Sequence, residues 1–159
     1  MQWMFLVSAD LEFRTPARVL QVLDQQRIPI HSFTVSNDEW ATIHALLELD
    51  PEKVYRVREL LRRIPAVHRV ECFAPGEGVC RTVALFEVSC DSLTQLPVLQ
   101  AAAALDLAVV SVDSCAVVVE AIGSFSEIAG FERVFSQHGA LTTVARTTLG
   151  IAHSGDQHG

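Results

Sequence analysis

The spacing of apolar and polar positions changes along this chain, and each change predicts the start of a new element. Residues 3–8 form an apolar, strand-like run. Pro16, Val19, Leu20 and Leu23 then recur at i, i+3, i+4 and i+7, one buried stripe of a helix, while Arg18, Gln21 and Gln25 face elsewhere. Thr15 is expected to cap that helix. Pro16 suits its first position, where an N–H would be unpaired in any case. Pro29 ends the segment, and residues 30–36 resume a strand around Ile30, Phe33 and Val35. A turn at Asn37-Asp38 predicts that residues 39–49 return as its antiparallel partner. Asp50-Pro51 repeats the cap-and-proline device, and Val54, Val57, Leu61 and Ile64 make a second helical stripe. Pro65 closes that helix, and residues 67–73 supply another strand.

The order strand, helix, strand, strand, helix, strand is the split βαβ arrangement, a four-stranded antiparallel sheet with two helices on one face. After the linker 75–79 the same order recurs. Residues 81–90 read as a strand and 94–105 as a helix with Pro97 near its first turn. Strands at 107–112 and 115–122 flank an Asp113-Ser114 turn. Ser124 and Glu127 form a capping box opening a helix with Ile128, Phe131, Val134 and Phe135, Gly139 stands as its C-terminal stop, and 140–151 is the last strand. The fold class is therefore α+β: two tandem ferredoxin-like βαββαβ domains at 1–74 and 80–152, followed by a flexible tail at 153–159.

Half of the 159 residues are hydrophobic, and the mean hydropathy is +0.30. Yet no run approaches the roughly 18–20 uncharged apolar residues of a membrane span, since Gln100 and Asp106 interrupt the richest stretch. With no secretory pattern at the N-terminus, the expectation is a cytoplasmic protein without a membrane, whose surplus apolar surface meets a partner chain. A net charge of -7 argues against nucleic acid, as does the lack of an aromatic RNA-binding strand pattern.

Candidate chemistry is sparse. Cys72, Cys80, Cys90 and Cys115 make no C-x-x-C pair and read as reduced thiols. There is no G-x-S-x-G elbow, and the six histidines give no metal-ligand spacing, so neither a catalytic nor a metal site is expected. His31 and His44 could approach across the first hairpin, with surface histidines the simpler reading. Lys53, Arg56, Arg58, Arg62 and Arg63 crowd the second helix; a solvated face is a simpler reading than an anionic partner.

Ala17-Arg-Val19, Ile30-His-Ser-Phe-Thr-Val35, Val67-His-Arg-Val70, Val109-Val-Ser-Val-Asp113, Gly123 and above all Val144-Ala-Arg-Thr147 with Gly150 resemble the small, regulatory subunit of acetolactate synthase. The resemblance implies an N-terminal ACT domain, a related C-terminal domain and a chain that is not itself an enzyme. It implies a homodimer through the ACT domain that binds and activates a separate catalytic subunit. Thiamine diphosphate, magnesium and FAD belong to that partner, with no cofactor on this chain. In the family a branched-chain amino acid such as valine binds between two ACT domains, held by two asparagines and a glycine. Those positions here are Leu11, Pro29 and Arg14. The candidate effector site is therefore Leu11, Glu12, Phe13, Arg14 and Thr15 with Pro29, Ile30 and His31, in degenerate form. Hydrogen bonds to a charged ligand contribute roughly 1.5–3 kcal/mol each, so losing two weakens valine by about 10²–10⁴-fold. The alternative is a stand-alone ACT sensor of another small metabolite, such as an anion held by Arg14.

Overall fold

The structure, a computed structural model, describes residues 1–37, 39–74 and 76–152, with residues 142–144 described by their backbone alone. Asp38 of the expected turn, Pro75 of the linker, the side chain of Val144 and the tail 153–159 lie outside the described residues.

Twelve elements follow in order: β1 Gln2–Ala9, α1 Thr15–Gln25, β2 Ile30–Asn37, β3 Ala41–Glu48, α2 Pro51–Arg62, β4 Val67–Phe73, β5 Gly78–Ser89, α3 Gln95–Ala104, β6 Ala108–Val112, β7 Ala116–Gly123, α4 Phe125–Ser136 and β8 Ala140–Ala152. They make two four-stranded sheets, ordered β2-β3-β1-β4 and β6-β7-β5-β8. These are the two ferredoxin-like βαββαβ units that the alternation of strand and helix periods predicts. No helix among the described residues is long and apolar enough to cross a membrane.

The chain divides into two compact units, one of Met1–Cys80 joined by the described residues from Thr148 on, the other of Arg81–Thr147. The end of β8 therefore belongs to the first unit. In that unit Phe5, Val7, Ile43, Ala45, Leu47 and Val70 turn one sheet face toward Val19 and Leu23 of α1 and Val54, Val57 and Leu61 of α2. Period-2 burial in the strands meets period-3.6 burial in the helices, so both apolar stripes leave water together. The second unit repeats this with Phe86, Val88, Val117 and Val119 under Val98, Ala102, Ile128 and Phe135. The rings of Phe86 and Phe135 lie 5.7 Å apart there.

Several local expectations need correction. Arg14 has helical backbone angles (φ -85°, ψ -15°), so α1 opens with Thr15 inside it and Thr15 is no cap. The Thr15 hydroxyl is fully buried without a hydrogen-bond partner among the described residues. Leu20 is exposed, and the α1 stripe is Thr15, Val19 and Leu23 with Val22 beside it. Asp50 does stand at the extended position before α2, but its carboxylate takes the Lys53 ammonium at 2.9 Å instead of a backbone N–H. Gly139 is not a left-handed stop, since α4 ends at Gln137 in right-handed geometry. A Cβ on Gly139 would lie 2.5 Å from the Ser89 carbonyl oxygen, so close backbone approach is what requires glycine. The α4 capping box forms as expected: Glu127 N–H donates to Ser124 Oγ at 3.3 Å, and Ser124 N–H to Glu127 Oε2 at 2.6 Å.

Candidate functional site

The first half of the candidate site is the loop between β1 and α1. Asp10 N–H donates to the Ala66 carbonyl at 2.9 Å, tying the loop to the entry of β4. Glu12 N–H donates to the Asp10 carbonyl and Thr15 N–H to the Glu12 carbonyl, a tight turn that throws its side chains outward. Leu11, Glu12, Phe13 and Arg14 are all exposed, Phe13 completely so. Beside them Asp10 Oδ1 lies 2.6 Å from His68 Nε2, and the Trp40 ring meets His68 edge-on at 5.3 Å. The sequence offers no signal for this cluster. Its residues lie up to 58 positions apart, and only the β1–β4 and β1–β3 registers bring them together.

The second half is the turn from α1 into β2. Arg27 adopts a left-handed φ of 54°, and Pro29 and Ile30 are exposed. His31 Nε2 lies 2.9 Å from Glu48 Oε2. A cavity of about 150 Å³ lies here, lined in part by Arg27, Ile28, Pro29, Glu48 and Lys53.

Within one chain the two halves do not meet. Ala9 pairs with Ala41, whereas Ile30 pairs with Leu47, which pairs with Trp3. Six residues of β3 at about 3.3 Å each separate those rungs, roughly 20 Å along the sheet. Residues 11–15 and 29–31 therefore stand at opposite ends of it.

Other candidate groups fall into structural roles. His31 and His44 engage different partners, Glu48 and the Gly150 N–H. No group of three metal-ligating side chains occurs among the described residues. Of the basic residues on α2, Lys53 pairs with Asp50, Arg62 with Glu59 at 3.2 Å, and Arg58 with Glu59 at 3.6 Å while stacking over Tyr55. Arg56 and Arg63 border an open groove beside Tyr55. The four cysteines are free thiols. Burial pushes the Cys72 thiol above its usual range, and the Asp113 carboxylate, accepting from Cys115 Sγ at 3.1 Å, does the same for Cys115. Both are poor nucleophiles in that state.

Residues 81–151 match the family model described as the small subunit of acetolactate synthase. No curated protein sequence matches the chain. Among solved structures, the acetolactate synthase small subunit from Thermotoga maritima superposes with a TM-score of 0.83 at 16% identity, over 96% of this chain and 98% of that one. The regulatory subunit of aspartate kinase from Thermus thermophilus follows with a TM-score of 0.45 at 13% identity, over 86% of this chain and 91% of its own. The first superposition establishes the fold, and the family match carries the sequence signal within the second half.

Proposed function

We propose that this chain, whose residues 81–151 match the acetolactate synthase small-subunit family and whose fold is similar to that of such a subunit, is the regulatory partner of a separate catalytic subunit. The observation that carries this reading is the family match over residues 81–151. On it, the acetolactate chemistry and the thiamine diphosphate, magnesium and FAD that serve it reside in the partner, and this chain contributes binding energy and control.

Exposed apolar surface supports a chain built for association. Every residue of β6 is exposed, three of its five are valines, and the strand carries no charge. It is also a sheet edge. Uncharged apolar edges left open are an aggregation hazard, and covering them with a partner removes it.

Self-association through the first unit is the second part of the proposal. Residues 11–15 and 29–31 lie at opposite ends of one sheet, so a second copy is what would bring the loop of one chain beside the turn of the other. Leu11, Arg14 and Pro29 then give that site bulk and a guanidinium where an amino acid ligand needs amides and close backbone approach. Feedback by valine is accordingly weak in this reading.

Co-expression with the catalytic subunit tests it. A complex that raises the rate of acetolactate formation is expected; a catalytic subunit that neither binds the chain nor responds to it overturns the proposal.

A further inference from the structure

The helix-free face of the first sheet is not bare. Met4 and Phe73, which point to it, are almost wholly buried. The end of β8, part of this same unit, lies against them. A Cβ placed on Gly150 would fall 2.7 Å from Met4 Cγ and 3.1 Å from Phe73 Cζ. A Cβ on Gly78 would run into the Phe73 ring and fall 2.9 Å from the Ile151 carbonyl oxygen. Two glycines thus let backbone close over one aromatic ring.

Besides its place next to β5, the strand end donates to side chains of the first sheet. Thr148 N–H donates to the buried Ser32 Oγ at 2.9 Å, and Gly150 N–H donates to His44 Nδ1 at 3.2 Å. The second contact fixes a protonation state. A ring nitrogen that accepts carries no proton, so His44 is neutral with its hydrogen on Nε2. A doubly protonated ring presents N–H at both nitrogens, and at Nδ1 that hydrogen would face the Gly150 hydrogen.

We propose that residues 148–152 form a pH-released strap, clamped on the open face of the first sheet while His44 is neutral and freed when His44 takes up a second proton.

The surroundings give the imidazolium little compensation. Leu6 on β1 and Thr34 on β2 are opposite His44 in the ladder, and neither bears a charge. The charged residues sharing its face are Arg69 and Glu71 on β4, paired with each other at 2.6 Å, and Glu48 at the far end of β3, occupied by His31. On β8, Arg146 is engaged with Glu132 and the Phe125 ring in the second unit. Burial accordingly lowers the pKa of His44 below the ordinary histidine value. The released state, with that ordinary value of about 6.5, takes up the proton first. The clamp is therefore intact at neutral pH and weakens as pH falls below that value. Release uncovers Met4 and Phe73.

Amide hydrogen exchange on the full chain tests this. After correction for the intrinsic pH dependence of exchange, protection at Gly150 is expected to fall about threefold or more between pH 8 and pH 5. Amides of Phe5 and Leu47 in the core should keep theirs. In His44→Gln the side-chain carbonyl can accept the same bond but does not titrate, so the dependence should vanish. Constant protection at Gly150 in the wild type, an equal fall in the variant, or a parallel fall of the core amides would each overturn the strap. Should the variant fail to fold, ¹⁵N shifts of the His44 ring decide in the wild type. A proton on Nδ1 at pH 8 refutes the clamp, and a bare Nδ1 that gains its proton as Gly150 protection falls upholds it.

Discussion

Glycine illustrates how differently one residue type works at two sites only nine positions apart. Gly130 sits within α4 with nothing in reach of an added Cβ, while Gly139 has the Ser89 carbonyl oxygen 2.5 Å from where that atom would be. Gly130→Ala should stabilise the protein by about 0.5–1 kcal/mol, because alanine loses less backbone entropy in a helix. Gly139→Ala should cost roughly 1–3 kcal/mol through overpacking. Gly139→Asn should cost at least as much, although asparagine would be tolerated at a left-handed helix stop. Denaturant midpoints of the three variants distinguish the two roles. Thr15 makes a related point, since a residue with good capping chemistry is buried one step inside its helix because Arg14 is already helical.

At the scale of elements, α1 and α4 contrast. The α4 start is written locally: Ser124 stands extended (φ -68°, ψ 163°), and its hydroxyl and the Glu127 carboxylate satisfy each other's backbone N–H groups. The Ser124 N–H holds the Glu127 carboxyl below the usual carboxylate range. Ser124→Ala should cost about 1 kcal/mol, read as an earlier unfolding midpoint with an unchanged denaturant slope. A matching Thr15→Ala change in α1 removes no capping bond. It deletes an unpaired buried hydroxyl along with a methyl contact, so its effect should be the smaller of the two. The strands are placed by the same local logic. β4 begins and ends at the expected residues, Val67 and Phe73, because Pro65 and the linker after Ala74 bound the segment.

For the whole molecule the consequential fact is that the candidate effector site is split between opposite ends of one sheet. A site of that kind titrates with association. Sedimentation of the isolated chain should give the mass of a dimer, and changing Leu11 and Pro29 to Asn together with Arg14→Gly should strengthen valine binding by at least about 10²-fold in calorimetry. A monomeric chain, or a triple variant that still ignores valine, would remove the effector half of the proposal and leave the family match untouched.

The sequence by itself determined the element order, the two repeated units and most of the core, because burial follows the periods of strand and helix, and both are local properties of the chain. It also carried the family resemblance, through short motifs such as Ala17-Arg-Val19 and the strand at 140–151. Tertiary structure alone decided what lies between distant segments. Register set Asp10 against His68, placed residues 29–31 far from residues 11–15, and turned the last strand's end back onto the first sheet, where Gly150 reaches His44 across 106 positions of sequence. Such contacts depend on how whole elements pair and pack, and no spacing within a single segment encodes them.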